Sequence, residues 1–303
     1  MDINVLIERC IKEAEKIGNK YNYPDNITHL LYLIISAFII KYGNSYEKDI
    51  LKCFKEIPIM IKEEKDDNYQ AYYTSRPIID NKEIKTVKGI VLCNYENITL
   101  MQLIDNLVHE FNHALNSFFN EIKTDENNIY LRTGLTYIVF NKNTLEPIKK
   151  ETDFILEEII NTKQTESIID IINSFNQVLI TNTAVNNTLY AIKTSVDTNY
   201  KSNAYLLGSI VCKSLMENKT FISTLENLRF KGNVEDVIPW FDGITGIDNS
   251  YYLLSSYLNK SLTLAKEIDK TKWFRQRKIN KIRSINTKAM EIVDLFDRNC
   301  NYR

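Results

Sequence analysis

The stretch from Thr99 to Phe119 holds no glycine and no proline, and its apolar residues recur at helical spacing, which predicts one continuous helix. With His109 at the origin of a helical wheel, Ile104, Leu107, Val108, Phe111, Leu115 and Phe118 gather on the far side. That stripe packs into a core. His113 falls close to His109, one turn further on, so both imidazoles look away from the stripe. Only three histidines occur in the 303 residues, and two of them stand here. At this spacing two imidazoles share a face and hold one zinc ion. Glu110 falls beside them, in reach of a water on that metal. Such a water has its pKa lowered to about 7, and a neighbouring carboxylate takes its proton.

Two histidines do not complete a site, because catalytic zinc takes three protein ligands and a water. Six residues beyond His113 the chain has Phe119, so no third histidine follows at that distance. His29 lies in the apolar segment Ile27 to Ile40 and reads as a helix residue near a cap. The third ligand is therefore expected to be a carboxylate, and Glu157 and Glu158, in the run Phe154 to Thr162, are the candidates. On a wheel Glu158 shares a mixed face with Ile155, Thr162, Thr165 and Ile169, while Glu157 leans towards Gln164.

His109-Glu110-Phe111-Asn112-His113 is the H-E-x-x-H pattern, and with the downstream pair Glu158 and Asn161 the chain resembles the gluzincins over about residues 85 to 170. These are zinc peptidases whose third ligand is a glutamate on a later helix. The resemblance implies zinc held by His109, His113 and Glu158, with Glu110 as general base for hydrolysis of a peptide bond. It departs at Ile159, where a small residue often follows the ligand, which leaves Glu157 as the alternative. The resemblance also implies an edge strand near the zinc helix that binds substrate backbone, here Gly89 to Cys93 with Ile90 and Val91. An open strand edge accepts an extended peptide as an added strand. Zinc peptidases often stabilise the oxyanion with a Tyr or His from the C-terminal lobe. That half has no histidine, so Tyr200 and Tyr205 are the candidates.

The rest of the chain is expected to be α+β, a zincin-like core flanked by helical segments. Residues 1–55 read as three helices, with a break at Gly18 and Tyr23-Pro24-Asp25-Asn26. Residues 56–170 form the core: apolar, β-branched strands before the zinc helix, then a hairpin in which Ile129 to Phe140, carrying Arg132, turns at Asn141-Lys142-Asn143 into Leu145 to Ile148. Arg132 is a candidate for a substrate carboxylate, for bracing the glutamate helix, or for a structural ion pair. Residues 171–303 read as a helical lobe, interrupted by a loop at Pro239 to Gly246.

Charge and cysteine usage narrow the class. The net charge of −1 gives no long-range attraction for nucleic acid or a membrane. The basic segment Lys270 to Arg283 reads as a solvated helix face rather than a phosphate site. The most apolar window, Leu30 to Ile40, is too short to span a bilayer, and the first residues lack the pattern of a secretory signal. Five scattered cysteines without a C-x-x-C pair point to reduced thiols and a cytoplasmic address. Abundant Ile, Asn, Lys and Tyr fit an AT-rich bacterial genome. The expected partner is a peptide or protein substrate. Two other classes remain: a catalytically weak, zinc-containing peptide-binding or regulatory module, and a helical interaction protein in which the motif is accidental.

Overall fold

A computed structural model describes residues 2–62, 70–93, 95, 98–117, 122–134, 136–148, 154–175, 210–231, 234–270 and 275–301. The architecture is mixed α+β and mainly helical, with two small sheets. The chain divides into two compact units, Met1–Phe118 with Gln164–Ser202, and Phe119–Lys163 with Asn203–Arg303.

The first unit opens with three helices, α1 (Ile3–Tyr21), α2 (Asp25–Tyr42) and α3 (Glu47–Glu56). Asp2 caps α1 by accepting the Asn4 amide, and Asn22 ends it in the left-handed region at φ 54°. The break expected at Gly18 is absent. Gly18 is a buried residue inside α1 whose bare Cα lets Thr28 of α2 come close, and a Cβ there would lie 2.8 Å from the Thr28 Cγ2. Helix α2 is apolar on every side, with a continuous buried run from Leu30 to Ile39. It is a core helix, as an all-round apolar helix of this length should be. Among the described residues no helix is long and apolar enough to cross a membrane.

Three strands follow: β1 (Ile59–Lys62), β2 (Ala71–Asp80) and β3 (Glu83–Cys93), in the order β1-β3-β2. β2 and β3 form a hairpin turned at Asn81 and Lys82, both at positive φ. That geometry matches the right-handed twist of the paired strands. β1 runs parallel on the other flank of β3. Helix α4 (Leu100–Asn116) packs against β2 and β3. Its start is set by a capping box, in which Thr99 Oγ1 accepts the Gln102 amide and Gln102 Oε1 accepts the Thr99 amide.

The second unit holds a four-stranded antiparallel sheet: β4 (Lys123–Thr124), β5 (Asn128–Thr133), β6 (Thr136–Asn141) and β7 (Pro147–Ile148). The expected turn at Asn141 to Asn143 joins β6 to β7, but Ile129 to Phe140, expected as one arm, is itself split at Gly134 into the paired strands β5 and β6. Helix α5 (Phe154–Ser174) is continuous; its first part belongs to this unit, and the residues from Gln164 on belong to the first. Then come α6 (Lys213–Glu217), α7 (Lys219–Lys231), α8 (Val234–Thr245), α9 (Ser250–Lys270) and α10 (Arg275–Asn301). The loop expected at Pro239 to Gly246 is mostly helix. Val237, Phe241 and Ile244 fall on one buried face of α8, and Phe241 stacks on Phe296 at 4.7 Å between ring centroids. That burial outweighs the local signal of Pro239 and Gly243. Residues 176–209 of the expected C-terminal helical lobe lie outside the described residues.

Candidate metal centre

Helix α4 is buried on nearly all sides, and only Leu100, Gln102, Asn106 and His109 keep appreciable exposure. The apolar stripe behaves as expected: Phe111 stacks on Phe54 of α3 with ring centroids 4.0 Å apart. The opposite face is buried too, with His113 4% and Glu110 8% exposed. Polar groups pack there instead of solvent. Tyr42 donates its hydroxyl to Asn112 Oδ1 at 2.7 Å, and Asn112 is fully buried.

His109 Nε2 and His113 Nε2 lie 3.2 Å apart. Two nitrogens that each sit 2.0–2.1 Å from one tetrahedral ion are separated by about 3.3 Å. The imidazoles therefore hold the spacing of two ligands on one zinc. One ligand atom from each of His109, His113 and Glu158 lies within 4.8 Å of the other two. Among the described residues this is the one cluster of at least three His, Cys, Asp or Glu side chains at metal-binding spacing. Two imidazoles and a carboxylate are a donor set suited to zinc with a position left open. Burial adds a reason for a cation, since carboxylates away from water need charge or hydrogen bonds around them. The residues fit the ion.

Glu158 and Glu157 have parted company. Glu158 joins the histidines. Glu157 is fully buried, and its carboxylate lies against Gly134 at the tip of the β5–β6 hairpin. Thr162 donates its hydroxyl to the Glu158 carbonyl at 2.8 Å within α5. Arg132 is 3% exposed, and its Nε donates to the Gly134 carbonyl at 2.8 Å.

Glu110 Oε2 accepts the main-chain N–H of Tyr73 at 2.6 Å. This short, charge-assisted bond ties the carboxylate to strand β2. It also corrects the strand expected to receive substrate. β3 is the central strand: Ile90 is paired with Ile59 and Tyr73, and Val91 with Met60 and Tyr72. Both side chains are buried. With neighbours on both flanks, Ile90 and Val91 cannot accept an added strand. The strand whose amide turns to Glu110 is β2. Sequence reasoning missed Tyr73 because a main-chain donor leaves no mark in residue identity. It missed Gly134 both as the turn between β5 and β6 and as the contact of Glu157.

His29 lies on α2 and is not part of the cluster. Tyr200 and Tyr205 lie outside the described residues. Compared with known proteins, the chain matches no family model, no curated protein and no solved structure.

Proposed function

We propose that this protein is a zinc-dependent peptidase that hydrolyses a peptide bond with Glu110 as general base. The observation that carries the reading is that ligand atoms of His109 and His113 on α4, the helix that also bears Glu110, and of Glu158 on α5 lie within 4.8 Å of one another. When bound, zinc supplies Lewis-acid chemistry: it polarises a carbonyl oxygen and lowers the pKa of water to about 7. His109 and His113 would hold the ion through Nε2, and Glu158 would add a carboxylate oxygen. Glu110 moves the proton. Held through Oε2 by the Tyr73 amide, its carboxylate takes the proton of the attacking water at Oε1 and delivers it to the leaving amine. The water oxygen ends on the carbonyl carbon, and the C–N bond breaks. Substrate backbone is received along Ala71 to Ser75 of β2, the strand beside Glu110.

Elemental analysis of the purified protein tests the reading. About one zinc per chain is expected, because two histidines and one glutamate fill one tetrahedral ion. His109→Ala with His113→Ala should abolish it. Stoichiometric zinc in that double variant would remove the basis of the proposal.

A further inference from the structure

We infer that Glu157 and the tip of the β5–β6 hairpin form a positioning device that sets the rotation of α5 and thereby places Glu158. This rests on the zinc reading above. Glu157 and Glu158 are consecutive, so they point about 100° apart around the helix axis. One joins the metal cluster and the other is seated on the hairpin.

The seat depends on a missing side chain. Gly134 has φ 58°, a conformation that glycine adopts without strain, and a Cβ at that position would overlap the Glu157 carboxylate. The tip is braced from its own strand, because the Arg132 Nε holds the Gly134 carbonyl at 2.8 Å. The buried side chains of Arg132 and Glu157 thus meet the same glycine. A buried carboxyl group holds its place because moving it would leave its polar atoms without their hydrogen bonds. A carboxylate about 6 Å from a helix axis moves roughly 3 Å when the helix turns by about 30°. Metal–ligand bonds tolerate only about 0.2 Å. Seating Glu157 removes that freedom from α5, and Glu158 inherits the precision. Glu157, Gly134 and Arg132 act here as positioning residues.

The test compares wild type with Glu157→Gln, Gly134→Ala and Arg132→Lys. Three properties are measured: zinc affinity by competition with a chromophoric chelator, the visible spectrum of the cobalt(II)-loaded protein, and thermal unfolding of the metal-free protein. A positioning role predicts zinc binding weaker by about 10–100-fold, with a cobalt spectrum altered as when Glu158→Ala removes the ligand. The metal-free variants should still unfold cooperatively. If the added methyl of Gly134→Ala prevents folding, the isosteric Glu157→Gln decides. Wild-type zinc affinity and an unaltered cobalt spectrum in Glu157→Gln overturn the positioning role and leave the zinc reading standing. Zinc affinity in the wild-type protein that is unmoved by His109→Ala overturns both.

Discussion

At the scale of single residues, Glu110 and Glu158 are both buried carboxylates, yet they are asked to do different things. Glu158 is a proposed ligand, so Glu158→Ala should lose zinc together with turnover. Glu110 is a proposed base, so Glu110→Gln should keep its zinc and its fold while peptide turnover falls by roughly 10²–10⁴-fold. Measuring metal content and turnover on both variants in parallel decides the matter; a metal-free Glu110→Gln beside a zinc-loaded Glu158→Ala would reverse the assignments. Tyr73 acts through its main chain. Its N–H points away from β3 to Glu110, so proline at 73 removes that donor without costing a ladder bond. A hydrogen bond to a charged group contributes about 1.5–3 kcal/mol, or about 10–100-fold in rate. Tyr73→Pro should therefore lower kcat by that order with zinc content unchanged. An unchanged kcat would show that the bond does not orient the base.

Among the elements, α4 carries the site and also the heart of the first core. Phe111 sits between the two histidines in sequence but turns the other way, stacking on Phe54, which meets Phe38 of α2 edge-on at 5.5 Å. The motif helix is thus anchored by a residue between its two histidines. Phe111→Ala should cost about 3–5 kcal/mol, the usual penalty for emptying a buried aromatic site. Urea unfolding of the metal-free protein measures it, and a loss below about 1 kcal/mol would mean that the ring stack is not what holds α4. Helix α8 shows the same logic from the other side: its aromatic face decides for helix against a proline and a glycine in its own sequence.

For the whole molecule, the cysteines report how tightly the chain is closed. All five are free, four are buried, and Cys300 is only half-buried. Burial pushes the Cys10 thiol up to about 11 and Cys212 up to about 12, and it also raises Cys53. At pH 8 a thiol at 11 is only about 10⁻³ ionised, and the thiolate is the reactive form. An aromatic disulfide reagent should therefore label Cys300 first, with Cys10, Cys53 and Cys212 following only as the chain opens. Rapid labelling of these three in the native protein would contradict the burial. The pH dependence has a definite sign. Unfolded thiols ionise near 8.5, while these native ones stay protonated to higher pH. Their contribution to stability is complete below about pH 8.5 and is lost as pH rises towards 11–12.

The residues of the proposed centre were legible because helical spacing is a local property. His109 and His113 share a face in any α-helix, and the capping pair Thr99 and Gln102 marks where that helix begins. The turn from β6 into β7 at Asn141 to Asn143 was legible through its residues, but the turn at Gly134 that divides Ile129 to Phe140 into β5 and β6 was not. Other features depend on contacts between distant parts of the chain. The wheel and the resemblance put Glu158 ahead of Glu157, but the contact of Glu157 with Gly134 could not be read from spacing. Gly18 looked like a helix breaker until Thr28 supplied a reason for a bare Cα inside a helix. Which strand faces Glu110 was settled by sheet order, which places β1 on the far flank of β3 and turns the Tyr73 amide of β2 to the carboxylate. Periodicity names the face a residue occupies, but only the packed chain determines what that face meets.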